Sequence, residues 1–378
     1  MKKLQFFILV IFISSCQKPK QEGIITIPTE SAKEKNVSNL VEEVSFYPLF
    51  GELGQVPYGV EKIVLTEELI LLGDFNFSQS LFAFNRANGK AITVPIQKGE
   101  GPMEVREVDD FWVDGDLIYV LDGIGRKILP ISYSNLELIL KTPIQLEIPV
   151  RRFAKTKDGF VGLTGGGQEN ELAFFDQNGK LISTHFPHSI SYLMLPLNPF
   201  QKIPKADGFQ IVFHSNFDPV FYDVGEGFLA TYDTLRYKGE AIKVPEKTDF
   251  VMDLEGFEQY RGTLKDQPSL FMVFESSADQ SILLYSLKNE TNFALFWGDQ
   301  HISYPSKNLI NDLTFDYNIG MPIAMGASES KFLTTIHKEH VNQEDPEFEG
   351  SKLQKAILSN PEVEVFLMEF RLKTNTKL

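Results

Sequence analysis

The chain has 378 residues, 43% of them hydrophobic and 32 of them phenylalanine, which is apolar area enough for a packed core without covalent staples. Its formal net charge of −15 and lack of any long basic run exclude nucleic acid as a partner, because an acidic surface repels phosphate backbones. A single cysteine, Cys16, excludes an internal disulfide or a thiolate metal cluster.

The chain opens with Lys2 and Lys3, then an unbroken apolar run from Phe6 to Ile13, then Ser14, Ser15 and Cys16. The run is about half the ~20 residues that span a bilayer, so residues 1–15 read as a removable secretion signal. Small residues before Cys16 and polar ones after it resemble a bacterial lipobox. That resemblance implies that Cys16 is lipidated, becomes the mature N-terminus and ties the protein to a membrane. Residues 16–39 are rich in Lys, Glu, Gln, Ser and Pro, with one apolar patch at Ile24 to Ile27, and predict a flexible tether.

From residue 40 to 378 a single β domain is expected. Short β-branched and aromatic runs such as Ile118 to Leu121, Phe209 to Phe213 and Ile282 to Tyr285 are cut by Gly, Asn and Asp, and no long stretch shows helical periodicity. Strand-plus-turn segments begin at Leu81, Lys127, Leu172 and Pro219, in steps of 46, 45 and 47 residues, with looser copies at Ile282 and Val363. A period near 45 is the length of a four-stranded propeller blade, and six copies predict a six-bladed β-propeller with antiparallel blades. Two β-sandwich domains are the alternative. Asn88-Gly89 and Asn178-Gly179 predict tight type I′ hairpins. Val41 to Leu49 is expected to pair with Val363 to Leu372 and close the ring. A short helix is expected around Ser351 to Leu358.

Gln97 to Val105 contains Gly99, Glu100, Gly101, Pro102 and Glu104, and is followed by Phe111 to Asp122 with its Tyr-Val-Leu-Asp ending. Over residues 40 to 372 these features resemble the six-bladed β-propeller lipoproteins of Gram-negative bacteria, with NHL-like blades and a Gly-Glu-Gly-Pro loop. The resemblance implies a lipid-anchored protein of the cell envelope, on the outer membrane. Two readings of the loop stand side by side. Glu100 and Glu104 can point into a shared ligand cavity, or the loop is a crossover between blades whose glutamates cap backbone N–H groups.

No motif specifies a reaction. The loop lacks the Lys-Ser/Thr ending of a phosphate cradle, no Gly-x-Ser-x-Gly elbow occurs, and His185/His188 and His337/His340 are not arranged as a zincin motif. Asp74, Asp114, Asp116, Asp122, Asp176 and Asp223 can line a calcium-binding channel or serve as turn residues. Trp112, Tyr119, Tyr192, Phe200, Tyr222, Trp297 and Tyr304 can form a stacking platform or fill the spaces between blades. The functional expectation is a monomeric, non-enzymatic scaffold, without a cofactor or metal, that binds an envelope protein, peptide or glycan. The alternative is a propeller enzyme, a calcium-dependent lactonase-like hydrolase or a polysaccharide lyase. Three carboxylates at the channel mouth would mark the enzyme; aromatic and neutral polar groups would mark the binder.

Overall fold

The computed structural model describes residues 23–27, 33–51, 56–165, 168–187, 198–205, 208–215, 218–225, 229–237, 240–242, 268–276, 280–288, 290–297, 300–316, 320–328 and 330–373. The secretion signal and Cys16 lie outside the described residues. The described strands build a six-bladed β-propeller.

Blade one contains Lys62–Leu65, Leu69–Asp74, Ser80–Asn85 and Ala91–Ile92 in sequence order from the axis outward. Blade two is Asp110–Asp114, Leu117–Asp122, Lys127–Ser134 and Glu137–Leu140; blade three is Val150–Lys155, Gly159–Thr164, Asn170–Asp176 and Leu181–Pro187. Blade four follows with Phe200–Lys205, Gly208–His214, Val220–Val224 and Leu229–Tyr237, and blade five with Ser269–Ser276, Gln280–Leu287, Glu290–Trp297 and Gln300–Pro305. Blade six takes Gly326–Ser328, Lys331–His337 and Val365–Leu372 from the end of the chain and Val41–Leu49 from its start. Val41 lies opposite Leu372 and Leu49 opposite Val365, so the ring closes through the expected pairing.

The cores lie between blades, and strand alternation explains why. Leu69 and Leu71 face blade two and pack with Phe111, Ile118 and Val120, while Ile70 and Leu72 face blade six and pack with Leu333, Val365 and Leu367. Successive side chains leave opposite faces of a strand, so each central strand serves two seams and must be apolar throughout. All six residues of Leu69–Asp74 are buried.

Two local expectations need correction, and a third, the short helix, holds. The copy at Ile282 falls on the second strand of blade five, not the third as in the other five blades, because a polar turn at Lys288 interrupts the chain one strand earlier. The hairpins at Asn88-Gly89 and Asn178-Gly179 form, but only the glycines have positive φ, +70° and +83°. Asn85 and Asp176 take over part of the turn, accepting from the backbone N–H of Ala87 and Asn178 through their side chains, so longer Asx-type turns replace type I′. The helix runs Lys352–Ser359, with the Ser351 hydroxyl accepting from Gln354 N as its N-cap, 3.0 Å.

The tether is shorter than residues 16–39. Gly23–Ile27 adds a parallel strand to the outer edge of blade four, and Lys35–Asn36 pairs beside blade five at Leu309–Ile310. Asp312 then accepts from Asn36 Nδ2 at 3.0 Å and Ser38 N at 2.8 Å. After Val41–Leu49, Phe50 bonds to Gly89 and Ala91 of blade one. Residues 23–27 and 33–50 thus lie as a strap on the outer edges of four blades. Its anchors are apolar: Ile27 and Val37 are fully buried, which is why the Ile24 to Ile27 patch stands out in an otherwise polar segment.

Candidate functional site: the axial cavity

The inner strands begin near charged residues and end around a cavity. At the beginning, Glu61, Asp109, Asp110, Arg151 and Arg152 gather where blades one, two and three meet. Lys62 Nζ and Asp110 Oδ1 are 2.9 Å apart, with side-chain exposures of 5% and 1%. Asp110 also accepts from Phe111 N at 2.8 Å and Phe153 N at 2.9 Å, so its charge is fully engaged. Arg152 is buried, donates to Asp109 O and Arg151 O, and stands 5.0 Å from the Phe75 ring. Burial raises the Asp109 pKa to about 6, opposed by the charge of Arg151, and burial likewise raises Glu61.

Beyond this layer lies a cavity of about 440 Å³, within the range of small-ligand sites. Blade one contributes Ile63, Val64 and Leu65, blade two Trp112 and Val113, and blade six Gly326 to Ser328. Blade four contributes Phe200, Gln201 and Lys202 from its inner strand and Phe209 from the next. Lys202 Nζ donates to Val113 O at 3.1 Å and sits 4.0 Å from the Phe209 ring centroid. Burial lowers the Lys202 pKa, while Asp114 works in the opposite direction. Trp112 is 3% exposed, and its indole N–H has no hydrogen-bond partner among the described residues. Among the described residues the lining holds two lysines and no acid or histidine.

Most acidic candidates turn away from this channel. Asp74 is completely buried and accepts from the backbone N–H groups of Tyr58, Gly59, Phe77 and Ser78, all within 3.2 Å. Asp122, its counterpart in blade two, accepts from Arg106 N and Gly125 N. Asp176 caps its hairpin turn. Among the described residues no three His, Cys, Asp or Glu side chains gather within reach of one metal ion. His337 and His340 do lie side by side, ring centroids 5.6 Å apart, over a separate cavity of about 130 Å³. His185 packs edge-on against Phe174, and His188 lies outside the described residues.

The aromatic candidates divide. Trp112 and Phe200 reach the cavity, whereas Tyr119, Trp297 and Tyr304 fill seams between blades, as does half-buried Tyr222. Tyr192 lies outside the described residues. Lys202 and Phe209 are missing from the sequence candidates; the available signal is the glycine followed by an exposed aromatic at the start of Gly208–His214, where Gly208 has φ +135°.

The Gly99 to Glu104 loop connects blade one to blade two at the end where the inner strands begin. Glu104 folds back so that Oε2 accepts from Gly101 N at 2.8 Å, while Gly99 N donates to Val105 O at 2.8 Å. A Cβ on Gly99 would lie 2.0 Å from that carboxylate, so any larger residue there must push the Glu104 side chain out of its place. Lys127 Nζ donates to Gly101 O at 2.9 Å, tying the loop to blade two. Glu100 points outward, its side chain 79% exposed, and pairs with Arg106 at 3.3 Å. Pro102 and Glu104 line a shallow groove of about 300 Å³ in which Glu100 takes no part. The two carboxylates therefore diverge. Glu104 performs backbone capping, and Glu100 meets solvent.

A closed ring of six four-stranded blades around an occluded axis defines the β-propeller class. The family described as "6-bladed beta-propeller" matches residues 15–334, and the chain belongs to it. A crystal structure of a Bacteroides fragilis protein inferred to be exported superposes with a TM-score of 0.71 at 18% identity, over 93% of this chain and 100% of that one. More distant likenesses are apo AztD from Citrobacter koseri, TM-score 0.37 at 9% identity over 65% and 62% of the chains, and a Bacteroides uniformis protein inferred to be a 6-phosphogluconolactonase, 0.36 at 14% over 64% and 70%. No curated protein matches the sequence. Among the described residues no helix is long and apolar enough to cross a membrane.

Proposed function

We propose that this protein is a lipid-anchored scaffold of the Gram-negative cell envelope, monomeric and held at the outer membrane through Cys16, that captures a protein, peptide or glycan partner at its axial cavity. The observation that carries the reading is the cavity wall. It presents Trp112, Phe200, Phe209 and Lys202, with no carboxylate, histidine or activated nucleophile among its described lining residues. Such a wall supplies contact area and a few oriented polar groups, which is the composition of a binding pocket. The exported character inferred for the Bacteroides fragilis protein and the basic, apolar start of this chain support an envelope location.

The test has two arms. Cys16→Ser should move the protein from the membrane fraction to the soluble envelope fraction, and unchanged membrane retention overturns the anchor. Phe209→Ala, on an exposed cavity residue, should leave the melting temperature within a few degrees while sharply reducing recovery of envelope material on the immobilised protein. Equal recovery by both proteins overturns the cavity as the capture site.

A further inference from the structure

We propose that the axial cavity binds a carboxylated sugar, a uronate unit of an acidic glycan, with its carboxylate on Lys202 and its ring against Phe209. This rests on the capture reading above and names the chemistry of what is captured.

Charge makes the first argument. The protein as a whole is strongly acidic, yet the described residues of this wall hold two lysines and no acid. Lys62 is neutralised by Asp110 behind the wall. That leaves Lys202, which uses one donor on Val113 O and rests on the Phe209 ring, so two of its three N–H bonds remain for a ligand. Asp114 lies outside the lining, and its field is shared between Lys202 and Lys155. One cation facing the cavity suits one negative charge. A phosphate group, with more charge and three strongly accepting oxygens, is ordinarily met by several cations or a nest of backbone N–H groups, and the described lining turns one unneutralised lysine and no arginine toward the cavity.

The rest of the wall favours a sugar as the carrier of that charge. Phe209 is 41% exposed at the cavity, and its face can stack on the C–H face of a pyranose, while buried Trp112 backs the wall. The Ser328 hydroxyl supplies hydrogen bonding of the kind that ring hydroxyls accept and donate. A cavity of about 440 Å³ accepts a terminal or kinked unit of a chain but no folded segment.

The full-length protein in detergent should be titrated calorimetrically with tetragalacturonate and with neutral maltotetraose. Tetragalacturonate should bind, weaken with added salt, and lose about ten- to a hundredfold affinity in Lys202→Met, the worth of one charge-assisted hydrogen bond. Phe209→Ala should also weaken it, and the melting temperatures of both variants should confirm folding. Equal binding of maltotetraose, or unchanged affinity in Lys202→Met, overturns the anionic ligand while leaving capture at the cavity intact. Binding of neither oligomer, with Phe209-dependent recovery of envelope material preserved, overturns the sugar and keeps the capture reading; loss of that recovery as well overturns both.

Discussion

Lys62 and Asp110 form an ion pair at 2.9 Å between the inner strands of blades one and two, almost wholly out of water. Breaking one side of such a pair leaves a buried charge uncompensated, at a cost of about 3–5 kcal/mol. Asp110 additionally receives two backbone N–H groups. Lys62→Met and Asp110→Asn should therefore each lower the urea midpoint strongly, and the double variant should cost less than the sum of the two. Additive losses would show that the two side chains act independently.

The Gly99 to Glu104 loop separates an architectural glutamate from a peripheral one. Glu104→Ala removes the acceptor held at 2.8 Å from Gly101 N and should cost about 1–3 kcal/mol. Glu100→Gln dissolves an exposed pair with Arg106 and should cost less than about 1 kcal/mol. Gly99→Ala should resemble Glu104→Ala, because the new methyl displaces the same carboxylate. Thermal melts of the three variants decide this, and comparable losses for Glu100 and Glu104 would refute it.

Two buried groups impose opposite pH dependences. Asp109 titrates near 6 in the folded chain against an ordinary 3.8, so between about pH 4 and 6 the folded state binds more protons and stability falls as pH rises. His214 is held down to about 4 from 6.5 by burial, so from about pH 4 to 6.5 the unfolded state binds more protons and stability rises with pH. Each amounts to about 3 kcal/mol across its window, and the two largely offset. Asp109→Asn should tilt the stability profile upward relative to the parent between pH 4 and 6, and His214→Gln should tilt it downward. Chemical denaturation at several pH values measures both slopes; parallel profiles for parent and variants would contradict the assignment.

Asp312 holds the N-terminal strap to the outside of the ring through Asn36 and Ser38. Asp312→Ala should release residues 33–39 while leaving the blades folded, because this stretch pairs only with Leu309–Ile310 and supplies none of the four strands of any blade. Limited trypsin digestion should show faster cleavage at Lys33 and Lys35, with at most a few degrees' change in melting temperature. Unchanged cleavage would mean that Val37, the fully buried residue of this stretch, is anchor enough.

Much of the ring was legible before any coordinates. Alternating apolar runs such as Ile118 to Leu121 and hairpin glycines such as Gly89 report local geometry, and a repeat of local geometry reports a blade. The closing pair of Val41–Leu49 with Val365–Leu372 followed from the need to leave no open edge. The phase of blade five was not legible, since a polar turn at Lys288 looks the same after a second strand as after a third. Nor was the docking of Gly23–Ile27, because a short apolar patch in a polar segment does not name its partner strand.

The candidate site divides the same way. Glycine spacing in the Gly99 to Glu104 loop is a local property, and both readings of its glutamates could be written from it; only the folded loop turned Glu104 inward and Glu100 outward. The axial cavity had no sequence signature at all. Its wall joins Val64, Trp112, Lys202 and Ser328, residues that ring closure brings together from four separate places in the chain. Strand period and turn chemistry act over a few residues, so the sequence by itself determined a ring of six sheets and a lipobox-like start. Which side chains meet at the axis depends on the rotation of each blade and the packing of every seam, and the tertiary structure alone decided that.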